Sequence, residues 1–485
     1  MKKGHPLLID LLIVCLIAAC TRTNSSAPVV PSLPSSIRPV LSPFEVTVLN
    51  RAPNSAGISW TASSNHTTSD TVKYKIVLNG ITVDSNLLKL TDTLLHLIAD
   101  SVYTGRVFAY TSPKDTISAP FTLDRVDGYV FFGDNGNMFN GYDPFTGVRL
   151  WNTLFPQNTI TYPMVPVISH DTVFAYNPSG GLWSFNAKTG IVIWGGNAPY
   201  LPQNDYLNGG PTYDNGTLYA SLYSGVYAVE SATGRPRWHY TPTGMSGLNY
   251  TVTFPVTAGG KVFVGGNDGA HYMAALNTAD GTVAWRFPLT SQISPGPVLV
   301  NNTVIFGTYE AKFYALDQST GQQVWMRDLS AAYNNLDGAL PPVVAGNLVI
   351  VFHGNEGLYA LDSKTGSTVW LNKDMQGVVL SSPAAGNGMV YCSSLTGSSD
   401  YKSRLFALNA NTGQLVWSTM STSSSLGNFV LVNDRLYMRG YSGIVIYDAL
   451  KGSYINSYSF FNGAGSFCMQ VKGQNYYPSE SGMVQ

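Results

Sequence analysis

The chain has 485 residues, too many for one ordinary hydrophobic core. Only 11% are charged and the formal net charge is −1, so the clustered basic field that nucleic-acid binding needs is missing. With 44% hydrophobic residues, 48 Gly and 29 Tyr, the composition suits a turn-rich all-β protein outside the cytoplasm.

Met1-Lys-Lys is followed by an apolar run from Leu7 to Ile17, interrupted by Asp10, and then by Ala18-Ala19-Cys20. A short apolar stretch before small residues predicts a secretory signal over residues 1–19, not a retained membrane span. Ile17-Ala18-Ala19-Cys20 resembles a bacterial lipobox, which implies that Cys20 becomes a lipidated first residue. Thr21 is not acidic, so no inner-membrane retention signal of the enterobacterial kind follows it. The expected location is the cell envelope, lipid-anchored at the outer membrane, facing either the periplasm or the surface. Cys392 and Cys468 lie two repeat units apart and read as buried small hydrophobes.

Residues 20–42 are rich in Ser, Pro, Val and Thr without periodicity and read as a tether. From 43 to 123, seven short β-branched and aromatic runs predict a sandwich: Phe44–Leu49, Gly57–Trp60, Tyr74–Leu78, Ile81–Val83, Thr93–Leu97, Tyr103–Tyr110 and Ile117–Leu123. Trp60, Tyr74-Lys-Ile-Val-Leu78, Leu97 and Tyr103-Thr-Gly-Arg-Val-Phe-Ala109 resemble the core Trp, third strand and tyrosine corner of a fibronectin type III domain. That resemblance implies a spacer.

From about Val126 one phrase recurs. An Asp, Asn or Glu stands four residues before Gly147, Gly190, Gly234, Gly281, Gly321, Gly366, Gly413 and Gly452, at intervals of 43, 44, 47, 40, 45, 47 and 39 residues. Seven copies place a Trp four residues after the Gly: Trp151, Trp194, Trp238, Trp285, Trp325, Trp370 and Trp417. A period in the forties filled with strand-like sequence predicts a β-propeller over residues 126–485. Each phrase is a hairpin turn: the Asx side chain bonds turn amides and the Gly supplies a positive φ. Gly141, Ser184, Ala228, Ala275, Ala315, Ala360 and Ala407 stand two residues before the acid or amide and leave room for a large ring. The indoles are therefore expected to wedge between blades. In the last copy Asn456 replaces Trp and Ile446 replaces the small residue, as terminal repeats often do. Phe467–Val471 and Asn475–Tyr477 are expected to pair with the N-terminal blade and shut the ring. The expected count is eight blades, with seven as the alternative.

The unit Leu358-Tyr-Ala-Leu-Asp362, Thr365-Gly366, Val369-Trp370 resembles the repeat of pyrroloquinoline-quinone (PQQ)-type propellers. That family includes quinoprotein dehydrogenases, which use PQQ and Ca²⁺, and cofactor-free members such as the lipoprotein scaffold of the outer-membrane β-barrel assembly machine. The chain has no Cys-Cys pair and no Cys-x-x-Cys-His. Glutamates of the propeller number four: Glu230 in a repeat turn, Glu310 and Glu356 in corresponding hairpin turns, and Glu480. None stands out as a ligand for hard Ca²⁺. His170, His239, His271 and His353 fall in four different units, and His353 near Glu356 comes nearest to an acid–base pair. Gly265-Gly-Asn-Asp-Gly269 reads as a turn, not a phosphate cradle.

The expectation is thus a non-enzymatic binding platform without cofactor or metal. Its partner is expected to be an envelope protein, with a glycan possible and no nucleic acid. Long connections from outer strands to the next inner strands carry Tyr162, Tyr200, Tyr206, Tyr250, Tyr333 and Asn334 and form the expected binding face. Carbohydrate binding and PQQ-dependent oxidation are the alternatives.

Overall fold

The computed structural model describes residues 41–477 outside the segments 53–54, 66–69, 96, 98–100, 113–114, 125–127, 134–137, 156–165, 178–180, 196–209, 223, 243–252, 294–295, 330–339, 354–355, 376–382, 396–402, 423–424, 441–442, 460–466 and 472–473. Cys20 and the six loop residues Tyr162, Tyr200, Tyr206, Tyr250, Tyr333 and Asn334 lie outside the described residues. Two compact units are present. One contains Ser59–Thr91 and Thr104–Phe121 with the chain up to Thr47; the other contains Val48–Ile58, Asp92–Tyr103 and the chain from Thr122 onward.

The N-terminal region forms two sheets. Val46–Ala52, Ser55–Trp60 and Thr91–Leu94 make one; Ile81–Leu87, Lys73–Leu78, Tyr103–Ser112 and Asp115–Leu123 make the other, in that spatial order. All seven strands overlap the seven runs read from the sequence. Alternation decides which side chains go inward: Tyr74, Ile76 and Leu78 are buried, and Lys73 faces solvent. The Trp60 and Tyr74 rings lie 5.5 Å apart, and the Tyr74 hydroxyl accepts the Ser63 amide at 2.9 Å.

Among the described residues, the chain from Gly128 onward carries eight antiparallel sheets. Seven are built from four consecutive strands each, in sequence order, as in Val343–Ala345, Leu348–His353, Gly357–Asp362 and Thr368–Asn372. The eighth joins both ends of the propeller region. Arg149–Leu154, Met138–Tyr142 and Gly128–Gly133 are extended by Cys468–Val471 and Gln474–Tyr476, with Cys468 opposite Phe131. The short inner strands touch one another from sheet to sheet around the molecule, which makes each sheet a blade of a β-propeller. Blades are numbered here from the one containing Met138. The seam between the first and second blades is bonded by C-terminal side chains. Tyr477 donates to the Ile168 carbonyl at 2.8 Å, Asn475 to the same oxygen at 2.9 Å, and Gln470 to the His170 carbonyl at 2.8 Å.

The repeated phrase explains how blades stack. In the sixth blade, Asp362 Oδ1 accepts the amides of Lys364 and Thr365 at 3.0 and 2.9 Å, and Gly366 turns with φ at 69°. Each indole pairs in register with its own blade's small residue, as Trp370 does with Ala360, and reaches into the next blade. There its Nε1 donates to the carbonyl of the residue after the Asx: Trp151 to Ala187, Trp194 to Ser231, Trp238 to Thr278, Trp285 to Gln318, Trp325 to Ser363, Trp370 to Ala410 and Trp417 to Ala449, at 2.8–3.0 Å. The indole plane covers the next phrase's Gly, so a Cβ on Gly366 would sit 2.6 Å from the Trp325 ring. That position needs Gly twice over, for its φ and for its missing Cβ. Burying one such ring contributes roughly a few kcal/mol.

One local reading is extended and another is corrected. Asn456 occupies the tryptophan register opposite Ile446, but Tyr458, two residues on, takes over the contact. Its ring lies on Gly147 and its hydroxyl donates to the Phe145 carbonyl, closing the eighth blade onto the first. Strand alternation accounts for this, since residues two apart share a face. Gly265 and Gly266 belong to the strand Lys261–Asn267, not to a turn. A Cβ on Gly266 would meet the Tyr272 ring at 2.3 Å, so close ring packing, not chain reversal, requires that glycine.

Candidate functional site

Antiparallel order gives the propeller two unlike edges. The repeated phrases and the turns between first and second strands share one edge. The turns between second and third strands share the other with the outgoing ends of the outer strands, from which the long connections start. The six loop residues expected at a binding face belong to those connections, outside the described residues. What the structure does place at this edge is a series of aromatic and ionisable side chains on the third to sixth blades.

In the third blade His239, on the outer strand Pro236–Tyr240, stacks on Tyr227 with ring centres 3.9 Å apart, and the Tyr227 and Ser224 hydroxyls lie 2.9 Å apart. In the fourth, Arg286 sits 3.5 Å above the Tyr272 ring and binds Asp268 through two bonds of 2.9 and 2.7 Å. The Asp268 side chain is only 5% exposed and that of Arg286 34%, so a sheltered carboxylate lies beneath a guanidinium that reaches water. Burial pushes the Tyr272 phenol far up. In the fifth blade Lys312 bonds Glu310 at 2.9 Å and holds its carboxyl below the usual range, with help from Thr290 at 3.2 Å. In the sixth, Tyr359 donates to Glu356. Burial first, and that bond second, push Tyr359 up to about 12.

These groups are paired with one another within their blades. His353 is buried at the end of its strand, 6.5 Å from Tyr359 between ring centres. The other propeller histidines fall in three further blades: His170 in a turn, His239 and His271 on strands. Cys392 and Cys468 are buried free thiols, and burial raises both above the ordinary thiol value. Among the described residues, no three or more His, Cys, Asp or Glu side chains converge as a metal site would require. The Arg286–Asp268 and Tyr227–His239 pairs escaped sequence reading because their members stand far apart in sequence: Arg286 meets a residue of the preceding turn, and His239 lies opposite Tyr227 in register.

The family profile described as outer membrane protein assembly factor BamB matches this chain over residues 52–269, 197–337 and 314–466. The Yersinia pestis protein of that name is 26% identical over 200 residues, covering 38% of this chain and 49% of the relative. The quinohemoprotein alcohol dehydrogenase ADH-IIG of Pseudomonas putida is 27% identical over 139 residues, covering 25% of this chain and 19% of the enzyme. The chain thus spans less than two thirds of the length of either relative. The crystal structure of BamB from Moraxella catarrhalis superposes with a TM-score of 0.50 at 17% identity, covering 64% of this chain and 90% of that one, a likeness of fold. With a profile that matches most of its length and a ring of phrase-bearing blades beneath it, the chain belongs to the family of the outer membrane protein assembly factor BamB.

Proposed function

We propose that this protein is a non-enzymatic scaffold of the cell envelope, anchored through a lipid on Cys20. In this reading a fibronectin-like spacer over residues 43–123 carries a propeller that holds a protein partner during outer-membrane protein assembly. Membership of the BamB family is the observation that supports it most. The physical logic is a division of labour: the tryptophan-locked phrases give a rigid disc, and the non-repeating edge gives specificity. Affinity purification of the full-length protein from envelopes tests it. A co-purifying barrel-assembly complex is the expected result, and a preparation lacking any membrane barrel counts against the reading. A globomycin-sensitive size shift that disappears in Cys20→Ala tests the anchor.

A second reading follows from the matched segment of the quinohemoprotein alcohol dehydrogenase. If it holds, adding PQQ with Ca²⁺ raises the melting temperature of the purified protein and supports dye reduction by alcohols. Neither change is expected here. Glycan binding by the long connections is tested on glycan arrays, where it predicts loss of signal in Tyr206→Ala or Tyr250→Ala.

A further inference from the structure

Among the described residues, every blade leaves its outer strand with one side unpaired, and such edges invite a foreign strand unless they are guarded. Most of these edges carry a visible guard. The third blade's outer strand contains Pro236 and Arg237, the fourth's Arg286 and Pro288, and the fifth's Arg327 and Asp328. The first opens on Arg149, the second is three residues long, and the sixth runs into Lys373 after five. In the eighth, Asn456 Oδ1 accepts the Ser457 amide at 2.9 Å and so occupies the edge locally.

The seventh blade differs. Its outer strand Leu415–Met420 is six residues long, holds no charge and no proline, and ends the order of its sheet. Leu415, Val416 and Met420 are 54%, 49% and 40% exposed. The Ser421 amide donates inward to the Ser403 carbonyl at 2.8 Å. Alternation then turns the amide and carbonyl of Met420 and Ser418 outward, and both residues are exposed.

We propose that this edge receives an extended, uncharged segment of a partner protein as an added fifth strand. The backbone ladder supplies affinity, and apolar side chains at alternate positions of the incoming segment cover Val416 and Met420. A second copy of this chain fits less well. A six-residue edge pairing falls far short of the roughly 1,600 Å² that a standard stable interface buries, whereas a flexible segment needs only the ladder and its flanking contacts. The inference stands apart from the assembly reading, because it requires an extended segment and no barrel complex.

The test uses the full-length protein and a fluorescent peptide of alternating valine and threonine. Saturable binding by anisotropy is expected, with loss when alternate peptide amides are N-methylated. Val416→Lys should weaken binding by about tenfold or more while the melting temperature stays unchanged, since the side chain is exposed. The same change at Val324, on the already charged edge of the fifth blade, should leave binding intact. Met420→Glu serves if Val416→Lys folds poorly. No binding, equal binding of the methylated peptide, or equal binding by the edge variants overturns the proposal. So does self-association in sedimentation that Val416→Lys abolishes, which would assign the edge to a second copy. Loss of the barrel complex in a pulldown with peptide binding retained would sink the assembly reading alone.

Discussion

The two edges of the propeller obey different rules. At the phrase edge the same contact recurs seven times with an indole and once with Tyr458, each time over a glycine of the following blade. At the connection edge the third to sixth blades differ among the described residues: a His–Tyr stack, an Arg–Asp–Tyr cluster, a Lys–Glu pair and a Tyr–Glu bond follow one another. Uniform chemistry holds blades together; in the function proposed above, the varied chemistry is what meets a partner. Substitutions at the first edge should therefore cost fold stability, and those at the second should cost partner affinity.

The largest effect should come from Trp325→Ala. It removes a buried ring and its bond to the Ser363 carbonyl, and a loss of about 3–5 kcal/mol is expected in urea denaturation. A loss under about 1 kcal/mol would show that the stacks are not the glue. Gly366→Ala comes next, because its Cβ would collide with Trp325 at a positive φ; about 2–3 kcal/mol is expected. Gly216→Ala separates the two causes. Its φ is also positive, at 78°, but nothing lies within 4 Å of the added carbon, so only about 1 kcal/mol should be lost. Tyr458→Phe keeps the ring on Gly147 and deletes the bond to Phe145, for about 1 kcal/mol. Lys312→Met, at the other edge, breaks a pair with Glu310 that is partly open to solvent, so it should leave the melting temperature nearly unchanged and weaken partner capture instead. Equal behaviour of Lys312→Met and Trp325→Ala would break the comparison.

Acid should sharpen it further at the smallest scale. The Asp362 carboxyl lies below its ordinary value of 3.8, first through the Thr365 hydroxyl and then through the turn amides. Asp317 is lowered in the same way, chiefly by the Thr320 amide. A depressed folded-state value contributes stability that is present above the unfolded value of 3.8 and is lost as pH falls through the lower, folded one. Denaturation midpoints should therefore decline below about pH 4. Asp362→Asn keeps an acceptor for the amides and should flatten part of that decline.

The phrase edge was legible because its determinants are local. An Asx, a Gly and a Trp at fixed offsets specify a turn and the ring that covers the next one, so blade spacing and the closing strands followed from one period. Tyr458 escaped because the expected position was Asn456, and only strand parity shows that the next residue on the same face can substitute. The connection edge was not legible in this way. The tyrosines expected there lie outside the described residues, and Arg286 meets the turn residue Asp268 and the Tyr272 ring across the sheet, which no spacing rule prints. The unguarded seventh edge was hidden for the same reason: being unpaired is a property of position in a sheet, not of a residue.

The seam at Ile168 carries a consequence for biogenesis. Ile168 bonds Tyr477, a residue 309 positions further along the chain. A chain emerging amino-terminus first must therefore carry the strand Gly128–Gly133 with one side open until the last strands arrive. Until the tail is made, that strand lacks its native neighbour, and a helper that shields the open side would raise the yield of closed rings.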